Sequence, residues 1–179
     1  FGKGGRYRLA LEQRELDSAA WSELLLGWLE KYPIVAIEDP FAEDDAAGFA
    51  RFTAQAKNIL VVGDDFLATN AARIRDAASS GACNAALIKP NQIGTLTETK
   101  AAFDAAVYAG WNTIVSARSG ETEDVTIVYL AVGWGAHMLK VGSFARSERL
   151  AKWNEGLRVA EALGGQGTLP PRSAFAWGK

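Results

Sequence analysis

The stretch Ile34-Val35-Ala36-Ile37-Glu38-Asp39-Pro40 gives the first clear indication of the fold. Its four consecutive apolar residues are typical of a short strand that is buried on both faces, and the polar residues and proline mark the end of that strand. The same arrangement recurs four times downstream, where a short apolar run ends in polar residues. These later runs cover residues 59–62, 85–88, 113–115 and 137–139.

The ends of the five predicted strands are almost evenly spaced. The residues at these ends are Glu38, Asp64, Lys89, Ala117 and Lys140. Consecutive members of this series are 26, 25, 28 and 23 positions apart. Each interval has room for one helix, as in successive strand-helix units. Helical spacing of apolar residues and capping signals predict helices over 45–56, 70–80, 95–109, 121–132 and 147–163, after a first helix that begins near Asp17 and a strand over 6–11.

A chain of repeated strand-helix units forms either a TIM-type barrel or an open doubly wound sheet. No predicted strand is followed by the Gly-rich phosphate fingerprint of the doubly wound class, which favours the barrel. A closed barrel needs about eight strands and roughly 250 residues. We therefore expect an incomplete α/β barrel of about five units over residues 1–164, an irregular tail over 165–179, and further strands upstream of Phe1.

The composition excludes several classes of protein. Among 179 residues, 49% are hydrophobic, which argues against disorder. The net charge of -2, from 19 basic and 21 acidic residues, gives no basic excess for nucleic acid. No apolar run approaches the length of a membrane span. The single cysteine, Cys83, cannot form an internal disulfide, which favours a cytoplasmic location.

Two acidic residues are candidates for a metal site. Glu38 and Asp64 end neighbouring predicted strands, so their carboxylates can meet at one edge of the sheet. Oxygen ligands of this kind suit Mg²⁺, and Asp39 and Asp65 would then be supporting residues or helix caps. The alternative is that Glu38 and Asp64 are solvated loop acids.

The remaining candidates are basic. Lys89 and Lys140 end two other strands, where either side chain could serve as a general base or bind phosphate. Arg118 and Ser119 precede a glycine and a predicted helix N-terminus, which indicates an anion site, with ordinary helix capping as the alternative. The only histidine, His137, begins a strand, and we expect it to have a structural role.

Five long segments of the chain resemble the enolase family, whose members are phosphopyruvate hydratases. These segments cover residues 32–41, 63–65, 89–98, 118–124 and 145–152. The resemblance implies the latter part of the enolase barrel domain, without the separate N-terminal domain of that family. It further implies a magnesium-dependent lyase of glycolysis that dehydrates 2-phosphoglycerate, and a homo-oligomer.

The resemblance also implies roles for individual residues. Glu38 and Asp64 match two of the three magnesium-binding carboxylates, and the third would lie upstream of Phe1. Lys89 matches the general base that removes the proton from carbon two of the substrate. Lys140 matches the lysine that contacts the substrate carboxylate and stabilises the enolate.

Arg118 and Ser119 match the phosphate-binding pair of the family, but the chain departs from the family pattern nearby. Ala117 stands where the family has a histidine, Pro90 replaces a valine, and Val141 replaces a threonine. These departures leave two alternatives open: an enzyme of the superfamily that acts on another acid, and an enolase-like protein without catalysis. We expect the 179 residues alone to be inactive.

Overall fold

The computed structural model describes residues 2–178, in which two β-sheets are accompanied by seven helices. Phe1 and Lys179 lie outside the described residues, as does the prediction of further strands upstream of Phe1. The strands are β1 (Gly2–Lys3), β2 (Arg6–Leu9), β3 (Arg14–Asp17), β4 (Ala36–Glu38), β5 (Leu60–Gly63), β6 (Ala85–Ile88), β7 (Asn112–Ser116) and β8 (Met138–Lys140). The helices are α1 (Ser18–Lys31), α2 (Ala46–Gln55), α3 (Ala71–Ser80), α4 (Pro90–Ile93), α5 (Leu96–Tyr108), α6 (Thr126–Gly133) and α7 (Ser147–Leu163).

The larger sheet is parallel, and its strands follow one another in chain order from β4 to β8. A doubly wound sheet reverses its strand order at a switch point, whereas a barrel adds each new strand on the same side. The unbroken order therefore confirms the predicted barrel class. Five parallel strands are present in the described residues, so the barrel is incomplete there, as predicted.

The sheet is strongly curled. Strands β4 and β8 are its two edges, and in a flat sheet they would lie roughly 19 Å apart, since neighbouring strands are about 4.8 Å apart. Lys140 at the end of β8 nevertheless reaches Glu38 at the end of β4, with Nζ 2.5 Å from Oε2. Two side chains cannot span the flat distance, so the carboxyl ends of the edge strands must converge.

The apolar core is divided between the two faces of the sheet. On the helix side, Val61 and Ile88 pack with Phe49, Phe52 and Ile74 from the surrounding helices. On the inner side, a smaller cluster contains Leu60, Val62, Ala85, Leu87 and Ile114. Successive residues of β5 and β6 alternate between the two clusters. Strands β5, β6 and β7 are buried throughout, as the sequence predicts for these three.

The residues after α7 form three short 3₁₀ turns that return to the inner face of the sheet. Phe175 and Trp177 stack on each other with ring centroids 4.6 Å apart, and both pack against the inner cluster. The side-chain amide of Asn112 donates a hydrogen bond to the carbonyl of Ala174 (3.0 Å). His137 precedes β8 and lies edge-on to Phe175, which places it at the opposite end of the strand from Lys140.

Two predictions near the start of the chain are wrong. The strand predicted over 6–11 is shorter, at Arg6–Leu9, and forms the middle of an antiparallel sheet with β1 and β3. The turn between β1 and β2 uses two glycines with positive φ. The run at residues 34–37 is not buried on both faces: it enters β4 at the sheet edge, where Ala36 and Glu38 are exposed.

The helix predicted over 121–132 begins later, at Thr126. Side chains of the preceding loop take up backbone donors that a helix would need. Thr122 Oγ1 accepts from the backbone N–H of Asp124, and Asp124 Oδ1 accepts from that of Thr126 (3.2 and 2.9 Å). Such local hydrogen bonds compete with helix formation. The predicted helix N-terminus beside Ser119 is therefore absent from the described structure.

No helix within residues 2–178 has both the length and the apolar character needed to cross a bilayer.

Replacement of Phe175 by alanine should destabilise the domain by about 2 kcal/mol, because it removes a half-buried ring and its stack with Trp177. Leu169→Ala in the same tail, at a side chain 91% exposed, is the matched control and should change little. Thermal unfolding measures both variants. Equal melting temperatures would show that the tail does not hold the inner face.

Candidate active site

Polar side chains gather where the parallel strands end. Glu38 and Lys140 are the last residues of β4 and β8, whereas Asp64 and Lys89 directly follow β5 and β6. A cavity of about 380 Å³ opens at this end of the sheet. Its lining residues are Asp64, Asp65, Lys89, Ser116, Ala117, Arg118, Ser119, Lys140, Val141, Gly142 and Arg149.

Lys89 and Asp64 form the more buried of two ion pairs at this edge. Lys89 Nζ lies 2.5 Å from Asp64 Oδ2, and each residue is 8% exposed. The backbone of Lys89 is held by Thr69, whose Oγ1 accepts its N–H (3.0 Å) and donates to Gln92 Oε1 (2.6 Å). The amine is therefore fixed in position at the wall of the cavity.

Lys140 and Glu38 form the second pair. The Nζ of Lys140 donates to both carboxylate oxygens of Glu38, at 2.5 and 2.7 Å. This pair is more open than the first, with side-chain exposures of 47% and 36%. Glu38 does not line the cavity itself and reaches it through Lys140.

Asp39 ties the ends of β4 and β5 together. Its two carboxylate oxygens accept the backbone N–H groups of Asp64 and Asp65, each at 2.8 Å. Its own backbone is in the left-handed region, with φ of 40°. Burial raises the pKa of the Asp39 carboxyl from 3.8 to about 6, although the two backbone N–H groups act in the opposite direction. Asp39 therefore sets the position of the backbone that carries Asp64.

Arg118 and Ser119 lie in the loop after β7 and are both exposed to solvent. Within residues 2–178, the guanidinium of Arg118 makes no hydrogen bond or ion pair, whereas its backbone N–H donates to Glu121 Oε1 (2.7 Å). A cation that lines a cavity with no protein partner is available to an anion. Arg118 and Ser119 thus line the same cavity as Lys89 and Lys140.

Sequence reasoning missed Arg149 as a residue of this cavity. Its Nη1 donates to the carbonyl of Val141 (3.1 Å), next to Lys140. Gly142 has φ of 105°, and a Cβ there would lie 1.7 Å from Arg149 Nη1. The glycine at position 142 was the available sequence signal, because its lack of a side chain lets the guanidinium lie against the backbone.

The carboxylates at this edge of the sheet have atoms that could bind a cation. Asp64 Oδ1 is buried and has no hydrogen-bond partner within the described residues, which is costly unless a cation or water satisfies it. Carboxylate oxygens are the ligands that Mg²⁺ prefers, so Asp64 and Glu38 fit this ion by their chemistry. The described residues contain no group of three acidic, histidine or cysteine side chains that could hold a metal by themselves.

Comparison with known proteins settles the family of the chain. A family model described as the enolase C-terminal TIM barrel domain matches residues 1–176. The chain belongs to the enolase family. It is 48% identical over 173 residues to Enolase 1 of Desulfitobacterium hafniense (strain Y51), a match that covers 96% of this chain and 40% of that relative. The chain thus spans about two fifths of the length of this enolase.

Ala117 makes part of the cavity wall apolar. The residue is 9% exposed and packs with Val115, Ile127 and Val128 between β7 and the helices, while also lining the cavity. The sequence resemblance places a histidine here in the family. A methyl group can neither donate nor accept a hydrogen bond, so this part of the wall is apolar.

The raised pKa of Asp39 predicts a pH dependence of stability. The unfolded chain releases the Asp39 proton near pH 3.8, whereas the folded domain keeps it until about pH 6. Between these values the folded state binds more protons, so the free energy of unfolding should fall as the pH rises from 4 to 6.

Chemical denaturation of the wild type and of Asp39→Asn across this range measures the effect. The stability of the wild type relative to the variant should decline through the window, because asparagine does not titrate. A difference that stays constant or increases would contradict the assignment.

Proposed function

We propose that this domain is the catalytic barrel portion of a magnesium-dependent lyase that dehydrates 2-phosphoglycerate to phosphoenolpyruvate, the enolase reaction of glycolysis. The convergence of Lys89, Lys140, Arg118 and Asp64 on one cavity supports it most directly. Glu38 is ion-paired with Lys140 beside that cavity. By family resemblance, the complete protein would be a cytoplasmic homo-oligomer that uses a small phosphorylated acid as substrate.

In this proposal, Lys89 is the general base. Once the ammonium has released a proton to solvent, the neutral amine takes the proton from carbon two, and the C–H electron pair passes into the substrate carboxylate to give an enolate. The ammonium that results lies 2.5 Å from Asp64 Oδ2, which stabilises its charge. The hydrogen bond of the Lys89 backbone to Thr69 holds the base against the cavity.

Lys140 would stabilise the negative charge that develops on the substrate carboxylate during proton removal. Its side chain is about half exposed, so it can reach a ligand in the cavity while remaining close to Glu38. A positive charge already in place where negative charge develops stabilises the transition state more than the ground state.

Arg118 and Ser119 would bind the phosphate group. The guanidinium provides charge and a planar set of donors, and the Ser119 hydroxyl provides one further donor. Because the Arg118 guanidinium has no partner in the described residues, phosphate binding would break no existing ion pair there.

Asp64 and Glu38 would hold Mg²⁺ together with ligands outside this chain, and the unpartnered Asp64 Oδ1 is the atom that supports this assignment best. When bound, the ion supplies Lewis-acid stabilisation of the substrate carboxylate. Protonation of the departing hydroxyl is left to residues outside this chain, so the domain alone should be inactive.

Ala117 supports a second candidate function: a related lyase that removes the proton next to the carboxylate of a different acid. The apolar wall at Ala117 leaves one side of the cavity without the imidazole expected in the family. A substrate with an apolar group or a larger substituent at that position would fit this wall.

Lys89→Met in the complete protein should lower phosphoenolpyruvate formation at least about 100-fold, since general acid–base catalysis contributes that much or more. The same substitution should abolish exchange of the carbon-two proton with deuterated solvent. Both are measured with magnesium and 2-phosphoglycerate, by absorbance and by proton NMR.

Lys57→Met is the matched control, because Lys57 is exposed and its side chain makes no hydrogen bond or ion pair in the described structure. Its activity should equal that of the wild type. A folded wild-type protein that forms no phosphoenolpyruvate would refute the primary proposal. Exchange by that protein with another acid, lost in Lys89→Met, would support the second candidate.

A further inference from the structure

A buried lysine of the last helix reaches the loop that carries Arg118. Lys152 on α7 is 1% exposed. Its Nζ donates to the backbone carbonyls of Thr122 (2.7 Å) and Glu148 (2.9 Å), and lies 3.8 Å from Glu121 Oε2. A buried ammonium is costly unless it is fully paired, so these acceptors fix Lys152 and the loop to each other.

Glu121 is the centre of this arrangement. Its Oε1 accepts from the backbone N–H of Arg118 (2.7 Å) and from the side-chain amide of Asn91 (3.0 Å), while its Oε2 faces Lys152. Asn91 belongs to α4, two residues after Lys89. One carboxylate therefore connects the loop after β7, the segment after β6 and the last helix.

These contacts hold the backbone at Arg118 and leave its guanidinium unpartnered in the described residues. The loop from 118 to 125 is not helical, so no helix fixes its conformation. The loop is instead held by the carboxylate of Glu121 and the ammonium of Lys152.

We propose that Glu121 and Lys152 are positioning residues for the anion site formed by Arg118 and Ser119. They contact no substrate themselves. They restrict the Arg118 backbone to one position, so that the guanidinium and the adjacent serine are preorganised for a phosphate group. This inference depends on the part of the proposed function that assigns phosphate binding to Arg118.

Glu121→Ala and Glu121→Gln in the complete protein test the proposal, with inorganic phosphate as the probe. Glu121→Ala removes both hydrogen bonds, and we expect phosphate affinity, measured by calorimetry, to fall about tenfold. Glutamine retains an acceptor oxygen for Arg118 but loses the charge that faces Lys152. The phosphate affinity of Glu121→Gln should therefore lie between those of the wild type and Glu121→Ala. The KM for the phosphorylated substrate should rise in parallel.

Glu123→Ala is the matched control. Glu123 lies in the same loop, is exposed, and makes no hydrogen bond or ion pair in the described structure, so its replacement should leave phosphate affinity unchanged. A double-mutant cycle with Arg118→Ala separates positioning from stability. Once Arg118 is replaced, Glu121→Ala should have little further effect on phosphate affinity.

Three results would overturn the proposal: unchanged phosphate affinity in folded Glu121→Ala, an equal loss in Glu123→Ala, or an undiminished loss in the Arg118→Ala background. A lower melting temperature of Glu121→Ala with unchanged phosphate affinity would show that Glu121 has a structural role only. If wild-type protein binds phosphate through Arg118 but forms no phosphoenolpyruvate, the proposed reaction fails while the positioning role stands. If it binds no phosphate, the positioning role fails.

Discussion

The curl of the parallel sheet is the constraint on which the site depends. Lys140 and Glu38 belong to opposite edge strands, and they meet only because the carboxyl ends of those strands converge. Each strand-helix unit rotates the next strand in the same direction, so polar residues at the ends of β5, β6, β7 and β8 are brought to one cavity, and Glu38 of β4 contacts Lys140 there. The buried apolar strands β5, β6 and β7 provide the rigid base for this arrangement.

Charge balance explains how so many ionisable groups can lie close together. Each lysine of the cavity is adjacent to a carboxylate, Lys89 to Asp64 and Lys140 to Glu38, which reduces the cost of removing both charges from water. Backbone N–H groups satisfy Asp39, whereas Asp64 Oδ1 is buried without a partner among the described residues. On the inner face of the sheet, Phe175 and Trp177 of the C-terminal tail pack against the apolar cluster.

The sequence was sufficient to predict the barrel class. The signal was a series of apolar strands that end in polar residues at nearly even intervals, and this pattern can be read from local sequence. The edge position of β4 and the exposure of Leu157 on α7 were not predictable from periodicity, since each depends on which neighbours are present. Helix α6 begins late because side chains of Thr122 and Asp124 capture backbone donors. The burial of Lys152 was not predictable either, because it depends on the loop that packs against α7.

A crystal structure of the complete protein with magnesium and 2-phosphoglycerate would test the account most directly. We expect a cation coordinated by oxygens of Asp64 and Glu38 at about 2.1 Å, with the phosphate against Arg118 and carbon two within reach of Lys89 Nζ. A cation bound elsewhere, or a substrate whose phosphate lies away from Arg118, would contradict it.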